Sequence, residues 1–548
     1  MKTIGSGPLS RLRERASLAS RGVCALALIA LSCTGGRSQI WSQAPGRPQA
    51  IGLLRSIALI DAQARRVVAL SADGSGGLSL RSMPTARGVA AAVPAPDGKK
   101  LYVLTEGHRA VLGDAIPDEK PRLTAYDDGP ATPVEIDLGL TDPLDGLIVD
   151  PTGRWAVVYA AGLSSGALVS NPNELVIVDL GSGSARHHTL HSFGGQPQQL
   201  TITPTLSLPA GPSQLLIVQS EQEMALLPLD GDPVDDAEIT VRLDDGGATQ
   251  RPPPAAIVVD DGDPTDTGDA RIGIRFQGDR SVMTLQLAPS PGSSAGFLPS
   301  INVADAGGIP TDIAFVRTDG GLRLAALVPT AGAAVLIDPA TTVTTTVALP
   351  APYQRMSLVT AGAGGTTADV ALLWQGGTAG AGVAFWELGQ AAGRPFRSIE
   401  TVAVGAKVGA VLDVPLVGAA LKVLAAEHSQ TFYVLDLAAR TAAPLSTSTD
   451  ATALMVSPTG ARVWTFVPGG LGLAATDVLS KRVWTLQSDT PIDAVFEIGQ
   501  SANDTGRSLI ALHETGNLGA TVYDATEPND STRRIYGGLL EEGSDDNR

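Results

Sequence analysis

The 548-residue sequence has two cysteines, Cys24 and Cys33, both near its start. A chain cut before Cys33 keeps one thiol, which excludes an internal disulfide and any paired-cysteine metal motif. Aromatic residues make up 4% and charged residues 17% of the chain, and Met occurs six times. Long surface helices are built from Lys, Glu and Met, whereas Gly (62) and Pro (38) are abundant here. That balance favours many short strands joined by tight turns. Basic residues are outnumbered 39 to 56, giving a formal net charge of -17, and none of them cluster in the body. Phosphate neutralisation needs a basic patch, so a nucleic-acid partner is excluded. No Gly-x-Ser-x-Gly elbow, phosphate loop or zincin helix occurs, and no catalytic constellation is recognised.

The first apolar run, "GVCALALIALS" from Gly22, follows Lys2, Arg11, Arg13, Arg15 and Arg21 and stops at Cys33. It is too short for a permanent bilayer span and has the zoned layout of a secretory signal peptide over residues 1–32. The segment Ile29-Ala30-Leu31-Ser32-Cys33 resembles the lipobox of bacterial lipoproteins, with Ala30 where Leu is most usual. The resemblance implies lipid attachment at Cys33. An ordinary secreted protein cut beyond Cys33 is the alternative. In that family an Asp after the cysteine retains many members at the inner membrane; Thr34 stands there, which favours the outer membrane. Residues 33–53, rich in Gly, Ser, Gln and Pro, read as a flexible tether, residues 54–540 as the folded body and 541–548 as an acidic tail.

In the body one phrase returns. "PAPDGKKLYVLTEG" from Pro94 reappears as "VDPTGRWAVVYAAG" from Val149 and "VSPTGARVWTFVPG" from Val456. Each places Pro, then Asp or Thr, then Gly between alternating apolar residues, as a hairpin requires: proline presets the first corner and Gly98, Gly153 or Gly460 supplies a left-handed one. A second phrase, an apolar strand ending in Asp, recurs at Asp61, Asp179, Asp338, Asp436 and Asp524. Together they make a four-stranded meander whose first strands begin near Gly88, Leu144, Pro197, Pro254, Pro310, Arg355, Val408, Ala451 and Ile492. The spacing of about 40 to 57 residues is that of β-propeller blades.

"PDGKKLYV" resembles the repeat of YVTN-type propellers, which are related to lactonase-like and tryptophan-aspartate repeat propellers. Val103-Leu104-Thr105-Glu106 stands where that family carries Tyr-Val-Thr-Asn. The resemblance implies an all-β fold, a single propeller of four-stranded antiparallel blades. Nine units are countable, with a separate hairpin from Ile57 to Leu70. Propellers usually have four to eight blades, so eight are expected, with seven and nine open and the hairpin completing the last blade. Such a fold carries binders, scaffolds and enzymes alike, so it does not choose among them.

Candidate chemistry sits after second strands: Glu106 with His108, Glu427 with His428, and His513 with Glu514. Imidazole and carboxylate converging on a channel would bind a metal or move protons; solvated loops are the plainer reading. "VVDDGDPTDTGDARIG" offers Asp261, Asp263 and Asp266 as oxygen ligands for Ca²⁺, against a solvated acidic loop. His187, His188 and His191 fall in an outermost strand. The expected function is a lipid-anchored envelope propeller that binds a protein or glycan; a lactonase-like hydrolase using a divalent cation in the channel is the alternative.

Overall fold

The computed structural model describes residues 48–540, apart from 73–76, 109–117, 163–168, 170, 192–196, 221–222, 231–236, 244–251, 264, 319, 360–369, 375–381, 389–397, 417, 427–429, 447–452, 500–506 and 514–517. The signal peptide, Cys33 and the acidic tail therefore lie outside the described residues. No helix among those described is long and apolar enough to cross a membrane.

Ten four-stranded antiparallel sheets follow one another along the chain, at 49–84, 89–137, 146–189, 199–242, 254–305, 312–348, 355–402, 408–446, 453–492 and 494–536. We number them blades 1 to 10. In each, the strands pair in chain order, and first strands of neighbouring blades touch between blades 2 and 3, 3 and 4, 5 and 6, 6 and 7, and 10 and 1. Blade 4 adds a small hairpin, Leu206–Leu208 with Gly211–Ser213, between its first two strands.

The expected blade number is corrected from eight to ten. All nine anticipated first strands are present, as blades 2 to 10. The hairpin from Ile57 to Leu70 does not complete the last blade. It forms the second and third strands of blade 1, whose first strand is Gln49–Gly52 and whose outer strand is Leu78–Pro84. The sequence Gln-Ala-Ile-Gly is too short to show a period of two, and it falls in the stretch read as tether. Blade 10 is complete from its own residues 494–536.

The described core divides into ten apolar clusters, each shared by two neighbouring blades. Alternation explains the division. In the second strand of blade 3, Ala156 and Val158 point toward blade 2, whereas Val157 points toward blade 4. Both faces of an inner strand are thus buried, which is why these strands read as unbroken apolar runs. The seam closes in the same way: Ile57, Leu59 and Leu70 of blade 1 pack against Ile498, Ile510 and Leu512 of blade 10, and the Gly499 amide donates to the Leu54 carbonyl at 3.2 Å.

One rim of the ring carries the turns from first to second and from third to fourth strands, and it is highly regular. Gly98, Gly153 and Gly460 have φ of 68°, 75° and 72°, and their amides donate to Ala95, Asp150 and Ser457. At the ends of third strands the recurring aspartates turn back on the chain. Asp179, Asp338, Asp436, Asp477 and Asp524 each accept two backbone amides, those two and three residues ahead. The fourth position after Asp179, Asp338, Asp436 and Asp477 is left-handed in every case, being Gly183, Thr342, Arg440 and Lys481; Asp61, which ends the second strand of blade 1 and so turns on the other rim, is followed in the same way by Arg65. The carboxylate holds the turn, so a non-glycine residue tolerates the positive φ.

Candidate functional site

The other rim carries the turns from second to third strands and the links between blades. The polar residues of its inner strands do not follow a repeat. A cleft of about 830 Å³ opens there over the inner strands of blades 5 to 8. Its charged lining is Arg275, near the end of the second strand of blade 5, Asp312, which opens the first strand of blade 6, and Arg355, which opens the first strand of blade 7. Trp374 lies directly across from Arg355 in the antiparallel register. Gly409 on the blade 8 side sits in a β-bulge between Val408 and Ala410, and a second bulge between Pro254 and Ala256 marks blade 5. A bulge re-aims the strand and interrupts the ladder, as binding rims commonly require.

Asp312 fastens two blades. One of its carboxylate oxygens accepts the Met356 amide at 2.9 Å and the other the Ile313 amide at 3.1 Å. Burial pushes its carboxyl above the usual aspartate range, with the amide bonds and the nearby Arg355 and Arg275 pulling the other way. Thr311 adds a second link by donating to the Gln354 carbonyl at 2.9 Å. Arg275 is held loosely: Nη1 donates to the Pro310 carbonyl at 3.3 Å, Nη2 to the Ala255 carbonyl at 3.5 Å, and the buried Nε has no partner. These are long contacts for N–H···O. Desolvation lowers the pKa of this guanidinium. Arg355 is exposed, and its guanidinium makes no hydrogen bond or ion pair with the described residues. Two guanidiniums and one carboxylate give the cleft a net positive charge in a chain whose total is -17.

The residues singled out in the sequence lie elsewhere on this rim or away from it. Glu106 follows the second strand of blade 2; burial and the neighbouring Asp145 raise its pKa. His108 pairs with Glu119 through reciprocal backbone bonds of 2.7 Å. His513 ends the second strand of blade 10 and is turned into the fold, where Nδ1 contacts the Pro491 carbonyl and Nε2 the Thr521 hydroxyl, both at 2.8 Å. With both ring nitrogens engaged it has no free coordination position. Blade 1 stands between blades 2 and 10, so His108 and His513 are not on adjacent blades. Glu427, His428 and Glu514 lie outside the described residues.

In the acidic loop of blade 5 the carboxylates serve the backbone. Asp261 accepts the Ser207 amide at 2.5 Å and its hydroxyl at 3.0 Å, Asp263 accepts the Thr265 amide at 2.9 Å, and Asp266 accepts the Gly268 amide at 2.9 Å. Among the described residues no group of three or more His, Cys, Asp or Glu is placed to hold a metal ion. His187 meets Glu174 at 2.7 Å, and His188 meets the buried Glu238 of blade 4 at 2.8 Å. The outer histidines therefore tie strands and blades together.

No protein-family model matches the sequence, and no curated protein does either. Solved structures align at low similarity. The dihydro-heme d1 dehydrogenase NirN in complex with DHE aligns at 14% identity and a TM-score of 0.38, covering 82% of this chain and 77% of that one. Apo AztD from Citrobacter koseri aligns at 13% and 0.36, covering 76% and 93%. The Cps50 (Swd1) beta-propeller domain from Myceliophteria thermophila aligns at 14% and 0.30, covering 69% and 95%. The propeller assignment rests on this chain's own sheet order and on its ten inter-blade clusters.

Proposed function

We propose that this chain is a lipid-anchored cell-envelope propeller that acts as a binding module, with its ligand seated in the cleft over blades 5 to 8. The observation that carries the reading is the cleft itself: an open volume of about 830 Å³ on the irregular rim, lined by two guanidiniums, a carboxylate and a tryptophan. Concave sites with a few convergent polar groups and an aromatic wall are where propellers and other folds take ligands. Anchoring follows from the lipobox-like run ending at Cys33, with acyl chains holding an acidic body at the membrane, the outer membrane being favoured, where an envelope protein or glycan meets the rim.

Thermal-shift screening of wild type beside Trp374→Ala tests the binding reading, using neutral and charged small molecules. Compounds that raise the melting temperature of wild type and leave the variant unmoved are expected, because a ligand bound only to the native state stabilises it by mass action. A screen in which every stabilising compound acts equally on both proteins would remove the cleft as the site. For the anchor, Cys33→Ala should abolish acyl labelling and release the protein from membranes; unchanged labelling would refute it.

A further inference from the structure

We infer that the ligand of this cleft is an anion, a carboxylate or phosphate group, received by Arg355 and Arg275 beside the Trp374 ring. The inference rests on the binding reading above and narrows it. An isolated exposed arginine is ordinary, but three features set this pair apart.

The first is the state of the guanidiniums. Arg275 reaches two carbonyls only at 3.3 and 3.5 Å and leaves Nε buried with no acceptor. Both Nη contacts are long for N–H···O, so an oxygen arriving at normal distance would strengthen the bonding of this guanidinium. Arg355 is exposed and lines the open volume, and planar guanidinium matches the oxygens of carboxylate and phosphate in two-point bonds.

The second is the position of the only acidic group among the described lining residues. Asp312 could quench both arginines, yet it makes no ion pair with either one. Its two oxygens are directed to the Met356 and Ile313 amides. The carboxylate thus organises the first strands of blades 6 and 7 while the positive charge beside it stays available.

The third is contrast. Several other arginines at blade boundaries are held by the fold through shorter bonds from their terminal nitrogens. Arg462 donates to the Ala525 and Thr526 carbonyls, Arg186 to the Leu229 carbonyl at 2.8 Å, Arg81 to the Asp127 carbonyl at 3.0 Å, and Arg440 to Glu387. In an acidic protein a cation left out of such bonding at a concave site produces a local field opposite to that of the body, and low-dielectric walls concentrate it.

The purified full chain is titrated with inorganic phosphate, with citrate and with neutral methyl glucoside, at low and high salt, by calorimetry and by tryptophan fluorescence. Phosphate or citrate is expected to bind saturably and to change the Trp374 emission. Arg355→Ala should weaken binding about tenfold, with Arg355→Lys between it and wild type, since a two-point charge-assisted contact is replaced by a point charge or by none. Asp312→Asn keeps an oxygen for the Met356 amide and removes the opposing charge, so anion binding should tighten about two- to threefold at low salt, an effect that shrinks at high salt. Trp374→Phe should erase the optical signal and leave the calorimetric one. Anion binding that is equal in wild type and Arg355→Ala, or no anion binding at all, would overturn the inference. Saturable methyl glucoside binding without anion binding would overturn it too, while leaving the binding module intact.

Discussion

The two rims of the ring join the same four strands in the same order, yet only one of them repeats in detail. On the regular rim, proline, glycine and aspartate recur at fixed offsets and are spent on turns. On the other, Arg275, Asp312, Arg355 and Trp374 occupy places where the neighbouring repeats carry other side chains. The lesson concerns constraint. A hairpin between two buried strands permits few sequences, so it is copied from blade to blade, whereas a rim freed from that duty can differ in every blade and there become specific.

Breaking the regular rim should have the largest effect. Arg440 occupies a left-handed turn position of blade 8, stacks 4.9 Å over the Phe385 ring and pairs with the buried Glu387 of blade 7. Replacement by Met leaves Glu387 without its guanidinium and should cost about 3 to 5 kcal/mol in a denaturant titration, without altering ligand response at the cleft. A loss under about 1 kcal/mol would show that the pair is no better than an exposed one.

The repeated glycines come next and should not be equal. A Cβ on Gly460 would lie 2.5 Å from the Leu416 backbone nitrogen, whereas one on Gly153 meets nothing closer than Pro96 Cδ at 3.5 Å. Both alanine variants carry the strain of positive φ, of order 1 kcal/mol or more, and Gly460→Ala should lose clearly more than Gly153→Ala. Equal losses would mean that backbone strain alone governs these turns.

The rims should also respond to pH with opposite sign. Burial opposes ionisation of Asp338, but the Thr341 and Ala340 amides, with Arg323, hold its pKa below the ordinary 3.8, so its contribution is present above 3.8 and is lost as pH falls through and below it. Asp312 is the reverse: with its pKa raised by burial, the penalty is absent at low pH and grows as pH rises from 3.8 through the raised value. Unfolding measured from about pH 3 to 7 should therefore show Asp338→Asn losing stability at the upper end and Asp312→Asn gaining there. Changes of the same sign would dissolve the distinction between the rims.

The smallest effect belongs to the acidic loop. Asp263 is exposed, and its amide bond to Thr265 can be kept by Asn, so Asp263→Asn should leave the melting temperature unchanged within error, as should a chelator. A chelator-sensitive melting temperature in wild type that becomes insensitive in the variant would restore the Ca²⁺ reading.

Much of the fold was legible in the sequence for a physical reason. Period-two alternation and turn chemistry are local, and Gly98, Gly153 and Gly460 had to be left-handed wherever their blades sat. The blade number was not legible, because Gln49–Gly52 gains its strand character only by pairing with Ser56–Asp61. The site was less legible still. His108 and His513 stood out by residue type, yet the second is consumed by Pro491 and Thr521. Arg355 and Asp312 carried a weaker signal: charged residues opening first strands where blades 2, 8 and 9 have Val89, Val408 and Ala453. Aligning the repeats column by column would have exposed them, whereas reading residues by chemical type did not.

Each blade is one uninterrupted length of chain, and the seam between blades 10 and 1 is closed by side chains without a borrowed strand. A ring assembled this way has a modular ancestry available to it. Duplication or deletion of a single segment of about 40 to 57 residues changes the circumference by one blade and leaves no strand unpaired, since nothing is shared across the junction. Such a change between blades 5 and 7 would move Arg275 and Arg355 apart or together by one sector, so ligand size becomes a property that duplication within the cleft can tune.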